Sequence, residues 1–112
     1  MKDDLALAYS MLYDFKLGKL STGAEITDEQ INLICLLVKD LLPTQKFLSE
    51  YADQTLLKVA EADSYWNRIT QELISQCYEL RGKNKLKQIQ SLKTEFAVTC
   101  PSMWYRNIVE SI

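Results

Sequence analysis

Histidine is absent from this chain. Its absence removes serine and cysteine triads in their common forms, histidine metal sites and imidazole acid–base work. Glycine is scarce, at three residues, and no P-loop, dinucleotide fingerprint, EF-hand loop or zinc ribbon can be read. The cysteines, Cys35, Cys77 and Cys100, are odd in number and widely spaced, with no CxxC pair. They form neither a disulfide framework nor a zinc site. Cys35 and Cys77 fall on expected apolar faces as small buried side chains. Cys100 stands in a connection before Pro101, a position open to solvent, but no histidine is present to activate its thiol.

Long hydrophobic runs are also missing. A transmembrane helix needs about 18 or more apolar residues. The longest stretch here, Ile31 to Leu42, is interrupted by Asn32, Lys39 and Asp40. The opening Met1-Lys2-Asp3-Asp4 lacks the basic start and continuous apolar run of a signal peptide. A cytoplasmic protein without membrane association is therefore expected. Carboxylate pairs are the only acid–base option left. Asp28-Glu29 is explained by capping, Glu61 and Asp63 point in different directions, and no carboxylate stands in an evident apolar pocket. The chain is read as a non-enzyme, with no catalytic residue, metal ligand or cofactor.

What is present favours helix. The 112 residues fit one domain, 1–112, and 47% hydrophobic content fills a single core. A net charge of −2 beside that content argues against disorder. The first helix is expected from Asp4 to Leu17, capped by Asp3, with Leu5, Ala8, Tyr9, Leu12 and Phe15 as its stripe and Gly18 as its stop. Lys19 to Ile26 reads as a loop. Thr27-Asp28-Glu29-Gln30 is a capping box that opens a second helix. Apolar residues surround that helix so fully that it is expected to be central, and Pro43 ends it.

Between Thr44 and Arg81 there is no glycine or proline, and apolar residues recur at helical or heptad-like intervals. One helix over that span would be ~55 Å long. A break or kink near Asp53 or Asp63-Ser64 is the favoured expectation, because shorter bundles are the commoner design. Gly82 is expected to close this element. A helix from about Asn84 to Ala97 and a short one capped by Ser102 complete the chain. No run alternates apolar and polar residues as a strand requires. The fold class expected is all-α: a single-domain bundle of four to five helices, one of them long or kinked.

Charge is unevenly distributed. Residues 1–56 hold five basic and nine acidic residues, net −4; residues 57–112 hold eight and six, net +2. In the acidic half, Asp14, Glu25 and Asp28 are candidates for steering a basic protein partner, against the alternative that such acids serve as caps. In the basic half, Arg81, Lys83, Lys85, Lys87 and Lys93 could contact nucleic-acid phosphates or form a solvated face. The pI of about 5.1 and the alternation of three of these lysines weigh against nucleic acid. A third candidate is the cluster Trp104, Tyr105 and Arg106, residue types that dominate binding hot spots. There Trp104 shares a helix face with Ile108 and Ile112, whereas Tyr105 and Arg106 are expected to point to solvent.

The function expected is binding to another protein, as an inhibitor, adaptor or antitoxin-like regulator. The alternatives are a nucleic-acid-associated accessory subunit acting through residues 81–93, and a homo-oligomeric structural protein built on a continuous helix 44–81. The ten residues Leu12-Tyr13-Asp14-Phe15-Lys16-Leu17-Gly18-Lys19-Leu20-Ser21 resemble the first helix and turn of colicin D-type immunity proteins. That resemblance implies a small acidic helical bundle that blocks a basic toxin nuclease. Glu25, Asp28 and Glu29 supply part of the acidic continuation it implies.

Overall fold

Helix ends in this protein are set mainly by local capping chemistry. A computed structural model describes residues 2–18 and 26–112, and among them it has five α-helices and no strand. These are α1 (Lys2–Lys16), α2 (Asp28–Leu41), α3 (Ala52–Gly82), α4 (Leu86–Thr99) and α5 (Met103–Glu110), with a 3-10 turn at Ser49–Tyr51 before α3. The architecture is an all-α bundle with one long helix. The expected loop lies, apart from Ile26, outside the described residues, and Glu25 with it.

The strongest caps stand where the sequence puts them. The Thr27 hydroxyl oxygen accepts from the Gln30 amide at 3.1 Å, and Gln30 Oε1 accepts from the Thr27 amide at 3.0 Å. The Ser102 hydroxyl oxygen accepts from the Tyr105 amide at 3.2 Å and opens α5. Gly18 takes a φ of +77° just past α1, the left-handed stop its position suggests. Helix α1 begins at Lys2, so residue 3 lies inside it and does not precede it as a cap. Gly82 is the last residue of α3, as its position suggests, and the left-handed residue that follows is Asn84, with φ 58°. The Lys85 amide donates to the Leu80 carbonyl at 2.9 Å and the Asn84 amide to the Arg81 carbonyl at 3.0 Å. That is the two-bond C-terminal motif normally built around glycine. Asparagine substitutes because it tolerates the left-handed region better than other side chains do.

The long helix is also differently placed. Residues 44–48 are not helical, and α3 starts at Ala52. The Gln45 amide donates back to the Leu42 carbonyl at 3.0 Å, closing a turn over Pro43. Of the two places expected for a break in this span, the one near Asp53 adjoins the start of α3, and from Ala52 onward none occurs at Asp63-Ser64. Two compact units, residues 1–63 and 64–112, meet within this uninterrupted helix.

In the first unit the core comprises Ala8, Tyr9 and Leu12 of α1, Ile34, Leu37, Val38 and Leu41 of α2, and Ala52, Leu56 and Val59 of α3. Within α2 only Asp28, Glu29, Asn32 and Lys39 are exposed, as a central helix requires. Two carboxylates are buried with these side chains. The Tyr9 hydroxyl donates to Asp40 Oδ2 at 2.6 Å, and the Lys16 ammonium donates to the fully buried Asp63. In the second unit the core is Leu73 and Cys77 of α3, Ile89 and Phe96 of α4, Cys100, and Tyr105 and Val109 of α5. Trp66 meets Phe96 edge-on, with ring centres 6.0 Å apart.

One face of α3 runs through Leu56, Val59, Asp63, Trp66, Thr70, Leu73, Cys77 and Leu80, a strict three–four alternation in which every residue is buried or half-buried. Two polar residues occupy this face at its middle. Asp63 has the Lys16 ammonium as its partner; the Thr70 hydroxyl, wholly buried, has no hydrogen-bond partner among the described residues.

Urea unfolding followed by helical circular dichroism tests these assignments. Gly82→Ala, at a helical position with open space around it, raises the unfolding free energy by about 0.5–1 kcal/mol. Asn84→Ala lowers it by about 1 kcal/mol, since alanine pays the full left-handed penalty. The two polar seam positions respond in opposite directions. Lys16→Met leaves a buried carboxylate without its cation and costs about 3 kcal/mol, whereas Thr70→Val removes a hydroxyl with no protein partner and gains about 1 kcal/mol.

Candidate functional site

Helix α1 carries apolar residues around most of its circumference, so the residues that do not enter the core are informative. Leu7, Tyr13 and Leu17 are 56%, 40% and 70% exposed. At 100° per residue they fall within one arc of about 120°, together with Ala6, Ser10 and Asp14, all exposed. The opposite side holds the buried Ala8 and Leu12, and along one edge of the inward face stand Tyr9 and Lys16, each fixed to a buried carboxylate. The Tyr13 ring lies 6.4 Å from that of Tyr9, tilted by 50°, and so leans on an anchored side chain. Asp28 is exposed in the first turn of α2, where it also complements the helix dipole. The first unit holds six basic and eleven acidic residues, net −5; the second holds seven and four, net +3.

The basic segment does not act as one surface. The Arg81 guanidinium donates to the Ile112 carbonyl at 3.2 Å and lies 5.6 Å above the Tyr78 ring. Lys83 bridges to Glu79 one turn back at 3.3 Å, and Lys93 donates to the Glu110 carbonyl at 3.4 Å. Arg81 and Lys93 thus supply cations to the carbonyl end of α5, where the helix dipole favours them. Lys85 and Lys87 are exposed at the start of α4.

The aromatic cluster has a different phase from the one expected. Tyr105 is buried, at 1% exposure, and Trp104 is half-buried. The inward face of α5 runs Ser102, Tyr105, Val109, which places Trp104 on its flank with Ile108 and Ile112. The cap fixes this rotation. Ser102 is fully buried and accepts from the Tyr105 amide, and Cys100 just before it is buried too, so the start of α5 lies inside the core. Arg106 is half-buried and its Nε donates to the Ser102 carbonyl at 3.3 Å.

Arg106 and Lys93 line the same feature, a cleft of about 510 Å³ between α4 and α5. The α4 wall presents Gln90, Lys93, Thr94 and Ala97; the α5 wall presents Met103, Arg106, Asn107 and Glu110. Phe96 and Val109 also border it and are otherwise buried. The sequence reading had put Lys93 and Arg106 in separate hypotheses, and nothing in their spacing signalled that the chain reversal at Cys100-Pro101 brings them together.

Sequence reasoning also overlooked the buried carboxylates. Asp40 and Asp63 are buried, at 9% and 0% exposure, where no pocket was evident from the sequence. Asp63 falls in the three–four pattern of α3, and that register was the available signal. Among the described residues no three acidic or cysteine side chains gather as a metal-binding group. No helix is long and apolar enough to cross a membrane among these residues.

Cys100 is buried and not solvent-facing, its thiol 3.8 Å from the Ser102 carbonyl; Cys77 is buried and Cys35 half-buried. Brief iodoacetamide treatment of the native protein, read by peptide mass mapping, is expected to modify Cys35 alone. Cys77 and Cys100 should react only once denaturant is added.

Comparison of the chain with protein-family models, with curated proteins and with solved structures finds no match.

Proposed function

We propose that the protein works in the cytoplasm by binding another protein, a basic one, through the outward face of α1, as an inhibitor or adaptor. The observation that carries this reading is the exposure of Leu7, Tyr13 and Leu17 beside Asp14, on a helix whose inward face is fixed by two buried polar contacts. Apolar side chains large enough to anchor an interface stand next to a carboxylate, in a unit of net charge −5. The fields of such a unit steer a positively charged partner toward it. Tyr13, resting against Tyr9, loses little freedom on docking, which is the condition under which an aromatic anchor contributes most. The stretch that resembles immunity proteins runs into the C-terminal end of this face, so inhibition of a basic toxin falls within the same reading.

Nucleic-acid contact through residues 81–93 is the weaker alternative, since Arg81, Lys83 and Lys93 are engaged by groups of the chain itself. For a structural oligomer built on a continuous helix 44–81, the helical part of that span is α3, which begins at Ala52.

Affinity capture from the native cell, repeated with surface variants, tests the proposal. Tyr13→Ala and Leu17→Ala each weaken the captured complex by about tenfold or more, the range of hot-spot truncations. Asp14→Lys slows association, with the effect fading at high salt. Lys85→Glu with Lys87→Glu leaves capture of the basic partner intact. A Tyr13→Ala/Leu17→Ala protein that folds normally and retains its partner in full overturns the reading.

A further inference from the structure

We infer that the cleft between α4 and α5 is a second docking site, for a short carboxylate-bearing segment of a partner protein. This goes beyond the α1 reading, because it lies in the other compact unit and selects the opposite charge. Lys93 stands on one wall and Arg106 on the other, in a unit of net charge +3. Each has one bond to a backbone carbonyl, which holds its stem in place: Lys93 to Glu110 at 3.4 Å and Arg106 Nε to Ser102 at 3.3 Å. The outer guanidinium nitrogens of Arg106 present the planar fork that matches a carboxylate. Beside them Met103, 55% exposed, offers a flexible apolar surface that adapts to varied side chains.

Three features favour a peptide over a nucleic-acid strand. Gln90 and Asn107 face the cleft with side-chain amides, which carry both donors and acceptors and so match a peptide backbone; a phosphate backbone offers acceptors only. Glu110 is part of the lining, and its charge opposes a run of phosphates more than it opposes one or two carboxylates held at Lys93 and Arg106. Lys85 and Lys87, the exposed cations a strand would recruit, are not among the residues of the cleft.

The test uses the full chain and a fluorescein-labelled eight-residue peptide of alternating glutamate and leucine, followed by fluorescence anisotropy at low salt. Saturable binding is expected, with at least a tenfold loss when glutamine replaces glutamate in the peptide. Lys93→Gln with Arg106→Gln should weaken binding by tenfold or more. Because both side chains also hold backbone carbonyls, Gln90→Glu with Asn107→Asp serves as the second variant: both residues are exposed, and the exchange keeps side-chain size while it places negative charge in the cleft. It should weaken binding equally with unchanged helix content and unfolding midpoint. Lys85→Glu with Lys87→Glu should stay within twofold of the unaltered chain. Equal losses from that control pair would assign the effect to net charge and overturn the proposal. Absence of peptide binding would also overturn it, as would displacement of the peptide by a single-stranded oligonucleotide at lower concentration than by unlabelled peptide. Tyr13→Ala with Leu17→Ala leaves peptide binding unchanged, so failure here is distinguishable from failure of the α1 reading.

Discussion

The rotation of α1 is the constraint from which the acidic unit follows. This helix has apolar residues on nearly every side, so hydrophobic burial alone specifies its inward face poorly. Tyr9 and Lys16 stand seven residues apart, on one line along the helix, and each reaches a carboxylate withdrawn from water: Asp40 on α2 and Asp63 on α3. A buried carboxylate without its donor is costly, whereas an apolar face exchanged for another is nearly neutral. The two polar contacts therefore discriminate between rotations that burial treats alike. Once they are made, Leu7, Tyr13 and Leu17 have nowhere to go but outward. The face proposed for partner binding is thus a consequence of where two polar side chains are satisfied.

The same logic applies along α3. A helix of 31 residues with an unbroken three–four seam could bury either of several adjoining stripes, and Asp63 and Thr70 lie in the middle of the one that is buried. Asp63 is compensated by Lys16; Thr70 is not compensated by any described protein group. An internal polar residue in a heptad seam fixes register at a cost in stability. Asp63 performs that role with a partner from α1, so the position of the long helix and the rotation of the first are one decision made by one ion pair. The limit of the first compact unit falls at this residue.

Much of this was legible in the sequence, and the failures have definite causes. Thr27 and Ser102 marked their helices because capping is a local contest between a side chain and the first free amides, decided within four residues. Gly18 ended α1 for a similarly local reason. Gly82 ends α3 as its place suggested, although the left-handed residue of the turn sits two residues later, on Asn84. Of the two places expected for a break, the one near Asp53 adjoins the start of α3, whereas Asp63 is a core position with a distant partner, a 47-residue separation that periodicity cannot reveal. Cys100 is expected outward because a Pro-containing connection is ordinarily exposed, and Tyr105 because the helix phase was set on Trp104; here the cap serine and its neighbours are themselves in the core. In each case local chemistry was readable and tertiary pairing was not.

Charge segregation ties these points to function. The carboxylates most withdrawn from water, Asp40 and Asp63, are the ones desolvation could make chemically useful, and both are occupied in holding α1. The remaining acids of the first unit and the remaining bases of the second stand at or near the surface, beside exposed apolar side chains: Asp14 beside Leu17 on α1, Arg106 beside Met103 in the α4–α5 cleft. Charge next to apolar area recognises partners by complementarity and excludes wrong ones by like-charge repulsion. The two arrangements differ in sign and in shape, a convex helix face in one unit and a concave cleft in the other.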